Sequence, residues 1–498
     1  MSESIKIKDA PLVSEAGDDV KMPCSDGSGL PKAVSVSQIA EHISDGEIVN
    51  IVLNTSYVSD IAIIGASVKV VNASNGASIY SGTWQGDDIS VKIHGAGVQY
   101  YIEVGDVDGY LTPRRKQYTS AICNSHTAIF TYQYATGDVI VINQNITDPA
   151  TRISGDVNGP TIQWIRKNSH RYLGKYLGNG KMSVCQLSDA DSNLYFDGTA
   201  SDLTGNEGDV YMKLPEFYTK TVEIAPDVWQ IEFNRYQVNP TYKKWGGNVL
   251  IGVYEAFVTG TSAYSRSGVA SSGSINFTEF KKYAANRGSG YSLIKWSEHC
   301  IMAFLFYAQY GNTNSQGKIG SGTNSYEKET GQTDALGMSD TVNGGNGSSG
   351  SINFWGLENW WGNKYEFMEG LTSATNEDGI VVMRVEGEDG INRDYVPLNE
   401  VSSYPTKMAI GDNLDLIMTA INGSSSTGYC DVTRFSKVAG RFARRSCDSN
   451  YVEGGVATVN VSVDALAKAA WDGSRLAFKG EITEAKSVSA FKELSIIN

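Results

Sequence analysis

The sequence predicts an α+β fold rich in β-structure. It is laid out as a short N-terminal segment (1–45), a β-sandwich-like domain (46–155), a larger C-terminal domain (156–485) and a brief tail (486–498). Three observations carry this. Of 498 residues, 53 are Gly and 27 Tyr, while only 11 are Pro and 19% are charged, the balance of a folded, loop-rich chain rather than a disordered one. Short apolar runs, many alternating with polar residues, recur between Gly, Asn and Asp turns. All the tryptophans except Trp84 fall at Trp164 or later, which marks a change of texture near Ile162. A chain of this length has room for several domains and for large cores.

Taken in order, the first segment begins with a short extended stretch. It continues through Gly17-Asp18-Asp19-Val20-Lys21-Met22-Pro23 to a turn at residues 25–29. A helix is predicted over residues 35–43, where Ser35 or Ser37 can cap and Ile39 and Ile43 share a face. So small a unit buries little by itself and is expected to order against a partner. In the next domain, residues 48–53, 61–71, 89–93, 98–104 and 139–142 read as strands. His94 and His126 there have no carboxylate beside them in sequence. In the C-terminal domain, helices are predicted over 277–287, from Phe277, Phe280, Tyr283 and Ala284, and over 296–310. Residues 311–350, rich in Gly, Asn, Ser and Thr, are expected to form a long surface insertion.

Charge and composition remove several classes of function. Lys and Arg number 41 against 55 Asp and Glu, a net −14 with no basic cluster, so no nucleic-acid partner is expected. No apolar run approaches the length of a bilayer span, and the first residues lack the pattern of a signal peptide, so neither membrane insertion nor general export is expected. Cys24, Cys123, Cys185, Cys300, Cys430 and Cys447 show no C-x-x-C spacing and read as reduced core residues. No cofactor and no metal is expected. Asp189, Asp191 and Asn193 open like a calcium loop, but Leu194 stands where the turn Gly is required and Ala200 where the last acidic ligand belongs. Ser169 and His170 are adjacent in a predicted solvated turn and cannot face one another as nucleophile and base. Glu255, Glu358 and Glu366 are the available acids for a hydrolase.

Two resemblances rest on motif segments. The first 40 or so residues, with alternating Ile, Asp-Asp, an apolar residue before Pro, Asp-Gly and a Val-Ser-Gln-Ile helix, resemble the N-terminal attachment segment of bacteriophage fibre proteins. Further on, Phe354-Trp355-Gly356-Leu357-Glu358-Asn359-Trp360-Trp361-Gly362-Asn363-Lys364-Tyr365-Glu366-Phe367 describes a tight turn between large aromatics. It resembles the signature of the C-type-lectin-like fold of the formylglycine-generating-enzyme type. Arg444-Arg445-Ser446 and Gly473-Ser474-Arg475-Leu476-Ala477-Phe478 resemble the closing strands of that fold, as worded in the retroelement-diversified variable proteins, with Lys479 in the place of the last Arg. The enzymes of the family need a cysteine pair in the closing segment. Here Cys447 stands alone, so the resemblance implies a protein that is not an enzyme.

The resemblance implies a virion fibre protein, made in the host cytoplasm and carried on the particle. It would attach to a capsid or tail protein through residues 1–45 and bind a host-surface or mucin glycan as a homotrimer. The rivals are a structural virion decoration without a ligand and, behind it, a glycan-acting enzyme. Residues 457–464 alternate, with Val459, Val461 and Val463 on one face and polar residues on the other. The expected ligand contacts are Asp448, Ser449, Asn450, Tyr451, Glu453, Thr458, Asn460, Ser462, Asp464 and Trp471. Tyr429, Tyr451 and Trp471 are the aromatics available to stack on a sugar ring.

Overall fold

The structure is a computed structural model that describes residues 21–25, 31–35, 46–55, 63–122, 124–134, 137–323, 326, 328–344, 350–387, 389–396, 401–446 and 454–496. The helix expected at 35–43 lies outside them, apart from Ser35. The chain divides into two compact units, Met1–Thr136 and Gly137–Asn498, and is β-rich with few helices.

The first unit contains a hairpin of Lys21–Ser25 with Pro31–Ser35 and two four-stranded sheets. One sheet runs Ile89–Ile93, Glu47–Thr55, Asn124–Tyr134, Tyr110–Leu111, its two central strands parallel. The other is antiparallel and runs Ser78–Thr83, Ser67–Asn72, Gln99–Val104, Lys116–Thr119. Period-two burial sets the faces: Val49, Ile51 and Leu53 are buried while Ile48, one residue before them, is exposed. The strand expected over 61–71 begins only at Ser67, because Ile63 enters a turn instead. His126 does have a carboxylate partner. Its Nδ1 lies 2.8 Å from Glu47 Oε1, brought there by the parallel pairing of strands far apart in sequence.

The second unit begins earlier than residue 156. Asp138–Asn143 pairs with Val228–Asn234 in a five-stranded sheet, so the strand expected to end the first domain opens the second. A seven-stranded sheet follows in the order Tyr291–Leu293, Leu476–Lys479, Val249–Gly252, Asp209–Lys213, His170–Gly178, Lys181–Gln186, Glu481–Glu484. An eight-stranded sheet is built around Tyr365–Thr375, which pairs with Val381–Glu386, with Arg441–Arg445 and, in parallel, with Asp472–Ser474.

Helices α1 (Pro160–Lys167), α2 (Phe277–Ala285), α3 (Trp296–Tyr310), α4 (Ser315–Lys318) and α5 (Val488–Lys492) complete it. α3 is apolar nearly all round and correspondingly buried from Trp296 to Ala308 apart from Ser297. Glu298 accepts from the Lys295 N–H at 2.6 Å at its start, and left-handed Gly311 (φ 57°) ends it. Among the described residues no helix is long and apolar enough to cross a membrane.

Two further expectations are corrected. Residues 486–498 are not simply a tail: Val488 and Phe491 are buried, and Lys175 Nζ donates to the carbonyls of Phe491, Lys492 and Leu494 at 2.9–3.0 Å. Residues 311–350 do not simply cover the surface. Thr313, Ser315, Ile319, Thr333 and Val342 are nearly fully buried, since short Thr and Ser side chains can enter a core when each hydroxyl finds a partner.

Candidate functional site

The Trp-rich segment folds as a tight turn. Trp355, Trp360 and Trp361 are wholly buried, and Asn359 and Asn363 take the left-handed conformation that Asn tolerates. At Gly362 (φ +86°) an added Cβ would come within 2.9 Å of the Thr323 nitrogen, so only Gly fits where the two backbones cross.

Immediately after this turn, Glu366 ties the two motif segments together. Its carboxylate lies 2.8 Å from Arg445 Nη1 and 2.6 Å from Arg475 Nη2, all three residues being fully buried. The Arg445 guanidinium lies over the Trp360 indole, 3.5 Å from its centroid. Arg475 also donates to the carbonyls of Glu358 (2.8 Å) and Gly252 (3.0 Å). Burial works to raise the Glu366 carboxyl, but Arg475 and Arg445 outweigh it and hold it below the ordinary carboxylate range. Its carboxylate serves the two arginines rather than backbone groups of the turn.

That backbone role falls to its neighbours. Glu358 accepts from the N–H groups of Gly331 (2.9 Å) and Thr333 (2.7 Å), and burial, with Asp334 nearby, pushes it up to about 7. Glu255 accepts from the Lys364 N–H and the Asn363 side chain and is likewise raised, first by burial and then by Glu366. None of the three acids is more than 2% exposed, so none can reach a substrate. Ser169, expected in a solvated turn, is 1% exposed, as is Arg171 close by, which donates to Gly356 O, Ser192, Thr333 and Asn353.

The closing segment is a hairpin connection. Arg445 pairs with Val459, so residues 446–458 link the antiparallel strands Arg441–Arg445 and Val459–Asp464. Its ends are fastened to the core. Ser446 Oγ donates to Gly362 O (3.2 Å), the Val456 N–H to Ser315 Oγ (3.0 Å) and the Ala457 N–H to Asp431 Oδ2 (2.9 Å). Burial pushes Asp431 up to about 8, opposed by that one N–H. Asp431 Oδ1, Thr433 Oγ1 and the Tyr307 hydroxyl have no hydrogen-bond partner among the described residues. Burial and Arg445 lower the His299 pKa, keeping its ring neutral.

The predicted contacts divide into three groups. Asp448, Ser449, Asn450, Tyr451 and Glu453, with Cys447, lie outside the described residues. Thr458 and Asn460 are corrected. They are 4% and 2% exposed: Val459–Asp464 lies between Arg441–Arg445 and Thr433–Phe435 in its sheet, and both faces of its first half, with Thr458 just before it, are covered. Ser462 is half-buried and donates to Asn460 Oδ1; Asp464 is exposed and pairs with Arg441 at 3.2 Å.

Trp471 is 39% exposed and meets Tyr326 edge-on with centroids 6.5 Å apart. Lys364 Nζ donates to Ala470 O (2.9 Å) and lies 5.4 Å from the Tyr326 centroid. Tyr429 is fully buried beneath the Arg152 guanidinium and cannot stack on a ligand. Tyr326, Lys364, Ser315 and Asp431 were not anticipated. Lys364, in the aromatic turn beside Gly362-Asn363, carried a visible signal; the other three carried none.

Cys185, Cys300 and Cys430 are free and buried, and no group of three or more His, Cys, Asp or Glu among the described residues could hold a metal ion. The chain matches no known family model and no curated protein.

Proposed function

We propose that the chain is a virion fibre adhesin whose C-terminal unit is a C-type-lectin-like domain of the formylglycine-generating-enzyme type. Residues 1–45 hold it to a capsid or tail protein, the β-sandwich-like unit serves as stalk, and the closing connection binds a host-surface or mucin glycan. The observation that carries the reading is the meeting of the motif segments. Glu366 of the aromatic turn pairs in register with Arg445 on one side and Gly473 on the other, and its side chain bridges Arg445 and Arg475. A connection set on so rigid a base can vary its side chains without disturbing the core. Burial of Glu255, Glu358 and Glu366 favours binding over hydrolysis. Three weak heads on one trimeric stalk would gain avidity through effective concentration.

The test is adhesion of the full chain to host cells and to a glycan array, with released sugars assayed in parallel. Replacing Asn450, Tyr451 and Trp471 together by Ala should abolish binding and leave the melting temperature nearly unchanged. Full binding by that folded variant would refute the placement, and turnover of a bound glycan would refute the adhesin reading.

A further inference from the structure

The C-terminal unit carries an open cleft of about 530 Å³ that shares no residue with the closing connection. Its volume is in the range of small-molecule sites. Leu214, Trp245, Val249, Ile251, Ile301 and Val385 form its apolar lining. Its polar groups are gathered around charged side chains of both signs, Lys243, Lys244 and Lys479 with Glu298, Glu386, Asp389 and Asp415. Lys479 Nζ lies 2.9 Å from Glu298 Oε1, and Asp415 accepts from the Trp296 indole N–H (3.2 Å) and the Tyr395 hydroxyl (2.7 Å).

We propose that this cleft binds a neutral pyranose unit of a glycan, with the apolar face of the sugar on Trp245 and its hydroxyl edge toward the Glu298–Lys479 pair. Three features of the cleft select that chemistry. Trp245 is only half-buried, yet its Nε1 donates to Thr219 Oγ1 at 2.7 Å, so the indole is held in a fixed position beside the space. The carboxylate and ammonium of the ion pair set an acceptor beside a donor, which is the complement of two vicinal hydroxyls, each able both to donate and to accept.

The third feature is charge. Glu298 is matched by Lys479, Lys244 by Glu216 and Asp389 by Arg393, and the other charges of the lining, Lys243 with Glu386 and Asp415, are of both signs, so the cleft presents no field of one sign to select a charged ligand. A hydroxylated ring with one apolar face satisfies the walls and the base together. Lys479, which departs from the family wording in the closing strands, thereby acquires a role at a ligand site. The ligand class is read from the cleft itself, and the site is separate from the closing connection, so the two proposals stand or fall separately.

The experiment is saturation-transfer NMR on the full chain with methyl glucoside, galactoside, mannoside and N-acetylglucosaminide. The parent is compared with Trp245→Ala, Ser297→Phe and the Asn450, Tyr451, Trp471 triple-Ala variant, with melting temperatures recorded for each. At least one glycoside should show transfer to its ring protons at concentrations on the order of 10 mM. Trp245→Ala should weaken that binding about tenfold, equivalent to about 1.4 kcal/mol. Ser297→Phe, which narrows the cleft from α3 without removing the ion pair, should abolish it. The triple variant should bind the glycoside as the parent does.

Transfer to none of the four sugars overturns the proposal. So does parental affinity in a folded Trp245→Ala or Ser297→Phe variant. Loss of binding in the triple variant alone would move the sugar to the closing connection, overturning the cleft while leaving the adhesin reading intact.

Discussion

Replacing Glu366 by Gln tests whether the buried carboxylate is what joins the two motif segments. The wild-type carboxylate meets Arg475 through Nε (3.0 and 3.1 Å) and Nη2 (2.6 Å), and Arg445 through Nη1 (2.8 Å), with no exposure at any of the three residues. A glutamine keeps one acceptor oxygen but turns an NH2 group toward a guanidinium, setting donor against donor and leaving two buried cations without this anion. Removing one partner of a buried ion pair typically costs about 3–5 kcal/mol. Two details of the site favour the lower end. Arg445 keeps its stack on Trp360, and Glu255, raised in part by Glu366, is freer to ionise once that charge is gone.

The expected loss is therefore about 3 kcal/mol, in the transition of the C-terminal unit. Urea unfolding followed by tryptophan fluorescence reads it directly, since only Trp84 lies in the first unit. A loss below about 1 kcal/mol, the size of a surface pair, would refute the claim that this contact holds the site's base.

Asp431→Asn should flatten the pH dependence of stability. The raised carboxyl stabilises the folded state fully below its unfolded pKa near 4, and that contribution is lost as pH rises through its folded value of about 8. Melting curves between those limits should show the parent falling more steeply than the variant, and parallel slopes would refute this. Trp361→Ala removes a wholly buried indole whose Nε1 donates to Gly320 O at 2.8 Å, and should cost about 3–5 kcal/mol in calorimetry; a parental melting profile would count against the turn as core. Deleting residues 1–45 should leave a folded, ligand-competent oligomer that no longer co-purifies with particles, and its recovery on intact virions would refute the attachment role.

Regular, local patterns were legible in the sequence. Residues 296–310 form one helix over the predicted span because a nearly unbroken apolar run between Glu298 and Gly311 leaves little else possible. Indole size leads one to expect at least one of Trp360 and Trp361 buried, and both are. Pairing over long separations was not legible. Asp138–Asn143 alternates as any half-buried strand does, and nothing in it names Val228–Asn234 as its neighbour. The same gap misplaced the site. Alternation in residues 457–464 correctly put Val459 and Val461 inward, but it cannot report that the opposite face is covered as well at the start of the strand, where Thr458 and Asn460 are buried too. Asp431 is invisible from sequence for a similar reason: its role comes from the Ala457 N–H, which only the fold brings to it.

The register between Arg445 and Val459 also governs how the closing connection can change length. Its two ends are fixed by ladder pairing and by the fastenings at Gly362, Ser315 and Asp431, so added residues leave the gap unchanged and add to the entropy of closing it. That entropy grows slowly, by about 0.6 kcal/mol for each doubling. Insertions between Ser446 and Gly454 should therefore be nearly free in stability. Position 455 marks the limit on that side, since a Cβ on Gly455 would fall 2.1 Å from Asp431 Oδ1. The unit is thus built to accept loops of many lengths across a fixed gap.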